Sequence, residues 1–274
     1  MKIYISVDLE GASGISSSEY VTKDGRLYNV GRKLITEDVN AAIRGAFDGG
    51  AEEVIVMDGH GGRVNLLVED LDPRALFLSG NPRQPRFAFL DKSVDGMFLV
   101  GYHSMAGTQG GNLEHTMMSS TWHSIRVNGV PYGELAIDAE LAAEAGVPVV
   151  MVSGDDKLCA EAKNWLGNVE AAMVKQGLSR NAALCLSPAR GRELVYNAAK
   201  RAAGRLAAGE KFPLAQVQAP ATVAITYKMV PDADAVNTYG SRRLDGYTVE
   251  RDYPCLSALY GGTWESLGIE QVIH

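Results

Sequence analysis

Histidine is scarce in this chain of 274 residues, five in all, and cysteine is scarcer, at three. Cys159, Cys185 and Cys255 are widely spaced and form no CxxC pair, so neither a thiolate zinc site nor a disulfide framework is indicated. That usage suits a reducing compartment. No run approaches the roughly 18 consecutive apolar residues of a membrane-crossing helix. The first acid, Asp8, arrives too early for the apolar region of a signal peptide. A soluble, cytoplasmic protein is expected. Positive charge is also in deficit, with 26 Lys and Arg against 33 Asp and Glu and a formal net charge of −7. Nucleic acid and anionic membrane are therefore excluded as main partners, leaving a small solute or another protein. Nucleotide signatures are missing too. GASG does not complete GxGxxG, and DGHGG lacks the lysine of GxxxxGK[ST], although its glycines alone would suit a backbone nest for phosphate.

A hydrophobic fraction of 46% is present, enough for a packed core. The first apolar run ends in SVDLEG, and a helical spacing follows at Leu27, Val30, Leu34, Val39, Ile43 and Phe47, stopped by Gly49 and Gly50. VIVMDGH then reads as a second buried strand, which makes a parallel βαβ unit. GMFLVGYHS and VPVVMVSG read as further buried strands, SIRVNGVPYG as a hairpin turning at Asn128-Gly129, and GELAIDAELAAEAG as a helix closed by Gly146. Asp155 and Asp156 fall where the next helix begins, where negative charge is stabilising without any catalytic role. A long helix follows SPA, expected to be capped by Ser187 with Pro188 in its first turn. FPLAQVQAP reads as a linker, ATVAITYK and YTVERD as strands. The expected fold class is α/β, a mainly parallel buried sheet flanked by helices, with a smaller C-terminal α+β section. Residues 1–274 read as one unit, or as a metal-binding part over 1–155 and a C-terminal part over 156–274.

The uncommon polar residues fall in a pattern. Asp8 and Glu10 close the first strand and, two apart, lean to one face about 6.6 Å apart. Left uncompensated in an apolar setting, the pair would be costly. The second strand leads to His60 and the third to His103. One histidine after a strand is usually a packing residue. Three buried strands that each deliver a carboxylate or imidazole at the carboxyl end, where open α/β sheets bind ligands, point instead to a divalent metal such as zinc or manganese. Glu134, opening the next helix, is a fifth candidate ligand, or else simply stabilises the first helical turn. Five protein ligands exceed what one open catalytic zinc takes and suit two ions about 3.5–4 Å apart with a bridging carboxylate. His115 ends the glycine-rich stretch GTQGGNLEH, a loop expected to be flexible. It reads as a nucleophile, a general acid/base, or an ordinary loop histidine. His123 reads as a strand residue, and His274 as terminal and disordered.

Together SVDLEG, MDGHGG, GYHSMAG, a histidine in the loop that follows, and VNGVPYGELAID resemble the DppA-type D-aminopeptidases, the M55 family of metallopeptidases. The similarity extends through VPVVMVSGDD and KQGLSRNAALCLSPA. The resemblance implies a dinuclear zinc aminopeptidase that releases N-terminal D-residues from short peptides or amides. It implies that Asp8 bridges two zinc ions, that Glu10 and His60 complete one site and His103 and Glu134 the other, and that His115 is the catalytic nucleophile. It also implies a ring-shaped homo-oligomer, a decamer, with active sites facing an inner channel. Two rival readings stand beside it. VMDGHGGRVN also resembles the glycine-rich histidine motif of creatininase-like metal-dependent amidohydrolases, and a non-catalytic α/β binding protein would have acids and histidines that merely satisfy one another.

Overall fold

Short β-branched runs alternating with amphipathic helices set the order of elements. A computed structural model of the chain describes residues 1–80 and 85–263. His274 lies outside them. The strands are β1 (Lys2–Val7), β2 (Glu53–Asp58), β3 (Leu76–Leu78), β4 (Gly96–Val100), β5 (Trp122–Val127), β6 (Val130–Tyr132), β7 (Val149–Asp155), β8 (Glu170–Ser179), β9 (Ala182–Cys185), β10 (Ala221–Tyr227), β11 (Ser241–Arg243) and β12 (Thr248–Tyr253). The helices are α1 (Tyr28–Asp48), α2 (Glu134–Glu144), α3 (Asp156–Leu166), α4 (Pro188–Ala207) and α5 (Val230–Val236).

One sheet runs β3-β2-β1-β4-β7-β8-β9 and is parallel except for its β9 edge; a second, antiparallel sheet runs β11-β12-β10-β5-β6. The α/β class and the mainly parallel sheet are as expected. The strand β8 is not expected from sequence, because in EAAMVKQGLS a short apolar run is broken by Lys175 and Gln176, unlike the continuous apolar runs of its neighbours. The second sheet also takes strands from two separate stretches, the β5-β6 hairpin and the C-terminal segment. Asn128 and Gly129 make its turn with φ of 48° and 79°, as their sequence requires.

Alternating side chains of β1 divide the core. Ile3, Ile5 and Val7 join α1 and α4, where Val39, Ile43, Val195 and Ala199 are sealed from solvent. Tyr4 faces the other way, into a core with Leu135 and Ile137 of α2 and with Ile125 and Val223 of the second sheet. Pro188 opens α4 as expected, but the Ser187 side chain makes no capping hydrogen bond; its carbonyl accepts from Gly191 instead.

Chain order and strand order disagree at one place. The chain passes from β1 outward to β2 and β3, then returns to the other side of β1 as β4. This switch point opens a crevice at the carboxyl ends of β1 and β4. In register, Val7 lies between Asp58 and Val100, so the residues that follow all three strands emerge side by side.

Candidate metal centre

Beyond Val7 the β1 segment stays tied to β4. Asp8 N–H donates to the Val100 carbonyl at 2.8 Å and Gly11 N–H to the Gly101 carbonyl at 2.7 Å. Gly11 permits this approach, because a Cβ there would lie 1.8 Å from the Tyr102 carbonyl oxygen. The buried Lys175 of β8 reaches under the same loop and donates to the carbonyls of Glu10 and Ile15. Burial pushes its ammonium down to about 8. After β2, the Asp58 carboxylate is committed to its own loop, accepting from the N–H groups of Asn65 (2.5 Å) and Leu66 (3.0 Å) and from the Asn65 amide. That amide also donates to the His60 carbonyl at 2.6 Å, fixing the turn that presents His60.

The glycine-rich loop is pinned rather than free. Asn112 is fully buried and donates to the carbonyls of Ser16 and Arg180, while its N–H donates to Asp155 at 2.9 Å. Asp155 meanwhile caps α3 by accepting from Leu158 N–H, so the helix-start role expected for it is joined by a second one. The His115 ring stacks on His103 with centroids 4.0 Å apart. Glu134 opens α2, accepts from Met117 N–H at 2.7 Å, and is buried against the same histidines.

The six sequence-predicted site residues therefore converge. Asp8 sits between two imidazoles, Oδ1 3.0 Å from His60 Nδ1 and Oδ2 3.2 Å from His103 Nε2. Glu10 Oε2 is 3.1 Å from His60 Nδ1, and Glu134 Oε1 is 3.4 Å from the Nε2 atoms of both His103 and His115. Ligand atoms of Asp8, Glu10 and His103 lie within 4.8 Å of one another, as do those of His103, His115 and Glu134. His115 thus stands at ligand distance as well as in reach of a reacting group. His123 is an exposed residue of β5 and takes no part.

The tautomers decide what this arrangement suits. His60 Nε2 lies 2.9 Å from the Val21 carbonyl and His103 Nδ1 3.0 Å from the Ser104 carbonyl. A carbonyl only accepts, so those nitrogens carry the protons. The remaining nitrogen of each neutral ring is then a lone pair facing two carboxylates. Acceptor against acceptor is unstable unless a proton or a cation stands between. Three of these atoms, Asp8 Oδ2, Glu10 Oε2 and His103 Nε2, are buried with no hydrogen-bond partner. The donor set of two imidazoles and three carboxylates, outer nitrogens held by carbonyls, fits divalent metal.

Without metal, protons do the same work. Burial alone would push both imidazoles down, but Glu10 and Asp8 hold His60, and Glu134 and Asp8 hold His103, well above the usual histidine range. Burial would likewise raise the acids, yet His103 and His60 hold Asp8 well below the carboxylate range, and His103 draws Glu134 down to about 2.

Site residues also came from places the motifs did not mark. Glu161 of α3 accepts from Met105 N–H at 2.9 Å beneath the His103 loop, and burial raises its carboxyl to about 7. Its signal was a single acid on a helix face otherwise made by Leu158, Ala162 and Leu166. Arg63 lines the same cavity of about 700 Å³ as Asp8, Glu10, His60, His115 and Glu134.

Comparison with known proteins agrees with this geometry. The model of the peptidase M55 family, described as D-aminopeptidase, matches residues 1–262. A D-aminopeptidase of Bacillus subtilis (strain 168) is 41% identical over 196 residues, 71% of each chain. The solved structure of the Zn-dependent D-aminopeptidase DppA from Bacillus subtilis, a self-compartmentalizing protease, superposes with a TM-score of 0.88 at 33% identity, covering 100% of both chains. By a family match over residues 1–262, by sequence identity and by fold, this chain belongs to the M55 family of D-aminopeptidases.

Proposed function

We propose that this chain is a zinc-dependent aminopeptidase that removes N-terminal D-residues from short peptides or amides. The observation that carries the reading is the pair of imidazole lone pairs turned onto Asp8, Glu10 and Glu134. In this reading Asp8 bridges two zinc ions, with Glu10 and His60 on one side and His103 and Glu134 on the other. Such ions would supply Lewis acidity at the scissile carbonyl.

The chain's own residues supply the rest. His115 Nδ1 lies 2.9 Å from the Leu113 carbonyl and so carries its proton there, leaving the Nε2 lone pair to attack the carbonyl or to take and return a proton. Stacking on the buried His103 and the pinned loop hold that nitrogen in place. The cavity of about 700 Å³ beside the centre has room for a short peptide.

The reading extends to a ring-shaped homo-oligomer, with ten copies as the family resemblance implies; association of copies is supported by the self-compartmentalizing relative. Residence in the cytoplasm is supported by three unpaired thiols, and no described helix is long and apolar enough to cross a membrane. A single structural unit over 1–274 is supported over a division near residue 155, because β1, α2 and β10 share one core. Light scattering tests the ring.

The deciding experiment pairs metal analysis with a panel of D-alanyl and L-alanyl amides and a cyclic amide. About two zinc ions per chain and cleavage of the D-amides are expected. Cleavage of the cyclic amide alone would favour a creatininase-like amidohydrolase. Well under one ion per chain, with no hydrolysis after zinc is added, would leave a non-catalytic binding protein.

A further inference from the structure

We propose that Arg63 forms an anion subsite in the active cavity, taking a carboxylate carried by the residue on the leaving side of the scissile bond. This rests on the aminopeptidase reading above and adds to it the chemistry of the substrate's far end.

Arg63 follows His60 by three positions, and its backbone takes the left-handed region at φ 59°. That conformation is costly for a side chain other than glycine or asparagine. Only 8% of the residue is exposed. Its guanidinium donates to the Arg86 carbonyl at 3.0 Å and, weakly, to Met57 sulfur at 3.8 Å; its other N–H groups meet no acceptor among the described residues. No described acid pairs with it. Asp138, the carboxylate whose charge acts on it, already takes both prongs of Arg86, at 2.5 and 2.9 Å, and the Tyr102 hydroxyl.

A nearly buried guanidinium beside a second one, with the Asp138 carboxylate already committed to that second one, is an unfavourable arrangement. Burial and the Arg86 charge both push its pKa down. The cavity's own acids do not relieve it, because Asp8, Glu10 and Glu134 are turned to the histidines. Two divalent ions there would cancel those acids and leave the cavity cationic at the Arg63 end. An anion arriving with the substrate restores balance, and a planar fork matches a carboxylate. With the scissile carbonyl at the metal centre, the carboxylate belongs to the next residue, either as its free α-carboxylate or as an acidic side chain.

The test uses zinc-loaded protein with D-alanyl-glycine, D-alanyl-glycinamide and D-alanyl-aspartic α-amide. The wild-type chain is expected to favour a carboxylate-bearing substrate over the glycinamide by about tenfold or more in kcat/KM, the size of a charge-assisted pair. Preference for D-alanyl-glycine assigns the α-carboxylate; preference for the aspartyl amide assigns the side chain. Arg63→Met should bring that ratio close to one, and Arg63→Lys, which keeps charge without the fork, to an intermediate value. If Arg63→Met fails to fold, the Lys variant alone decides. No preference in the wild-type chain, or an undiminished preference in the variants, overturns the proposal. Should the wild-type chain cleave none of the three, the aminopeptidase reading fails on its own. Calorimetric titration of the free acid against the amide, in both chains, then still reads Arg63.

Discussion

Asp8 Oδ2 and His103 Nε2 face each other at 3.2 Å, both sealed from solvent and neither hydrogen-bonded. The other oxygen of the same carboxylate faces His60 at 3.0 Å. One side chain therefore closes two half-sites, whereas Glu10, among the described residues, lies within ion-pair distance of His60 only. Asp8→Ala should reduce bound zinc from about two ions per chain to well under one, while Glu10→Gln should leave about one. Metal analysis after gel filtration checks this. Equal losses in the two variants would remove Asp8 from the bridging position.

His115 is tied at one nitrogen and open at the other. If it moves a proton or attacks, His115→Ala should lower kcat by about 10²–10⁴-fold while the zinc content changes little. Because its ring also stands at ligand distance from Glu134, metal analysis must accompany the kinetics. A matched loss of zinc and turnover would make it a ligand instead.

The loop that carries His115 owes its shape to Asn112, whose amide spans Ser16 and Arg180 from a fully buried position. Asn112→Ala removes the amide's hydrogen bonds to the carbonyls of Ser16 and Arg180, each worth about 0.5–1.5 kcal/mol. The variant should fall in kcat more than in zinc content, since the proposed ligands Asp8, Glu10, His60, His103 and Glu134 sit on other segments. Unchanged kcat would show that this anchoring does not position His115.

The residues that converge at the candidate centre are legible in sequence for a physical reason. Histidine is rare here, and Asp8, Glu10, His60 and His103 each follow a short apolar run, so pattern and position coincide, whereas Glu134 opens a helix and His115 ends a glycine-rich loop. Residues that act through tertiary neighbours left weaker marks. Lys175 breaks the short apolar run of its strand, which looks half-exposed, yet it is buried because the loop after β1 folds over it. Asn112 looked like part of a glycine-rich loop, and only its contacts with residues far along the chain made it an anchor. The β5-β6 hairpin is readable from Asn128-Gly129, but its partner β10 is about a hundred residues away, a pairing that no local pattern encodes.

Close backbone contact supports the centre as much as side chains do. Gly11→Ala would place a Cβ 1.8 Å from the Tyr102 carbonyl oxygen, and backbone on both sides leaves little room to move. A cost of about 3 kcal/mol or more is expected, along with separation of Glu10 from the His103 loop. Denaturant unfolding and zinc titration should both register it; a variant as stable and as zinc-avid as the wild-type chain would mean that the two loops can part freely.

Asp38 supplies a test of pH. It is fully buried in α1, accepts from Ser13 N–H at 2.7 Å and lies 3.8 Å from Arg192. Burial pushes its carboxyl up to about 6, against the opposing pull of the Ser13 bond and the Arg192 charge. The native chain then keeps a proton between about pH 4 and 6 that the unfolded chain has released. Stability from this group is thus fully present below the unfolded value and is lost as pH rises through about 6. Asp38→Asn keeps an acceptor for Ser13 but cannot ionise. Subtracting its unfolding free energy from that of the wild-type chain cancels the titrations common to both. The difference should fall by up to about 3 kcal/mol between pH 4 and 7. Parallel curves over that range would mean that Asp38 is charged throughout, and that Arg192 and Lys175 compensate the buried carboxylate completely.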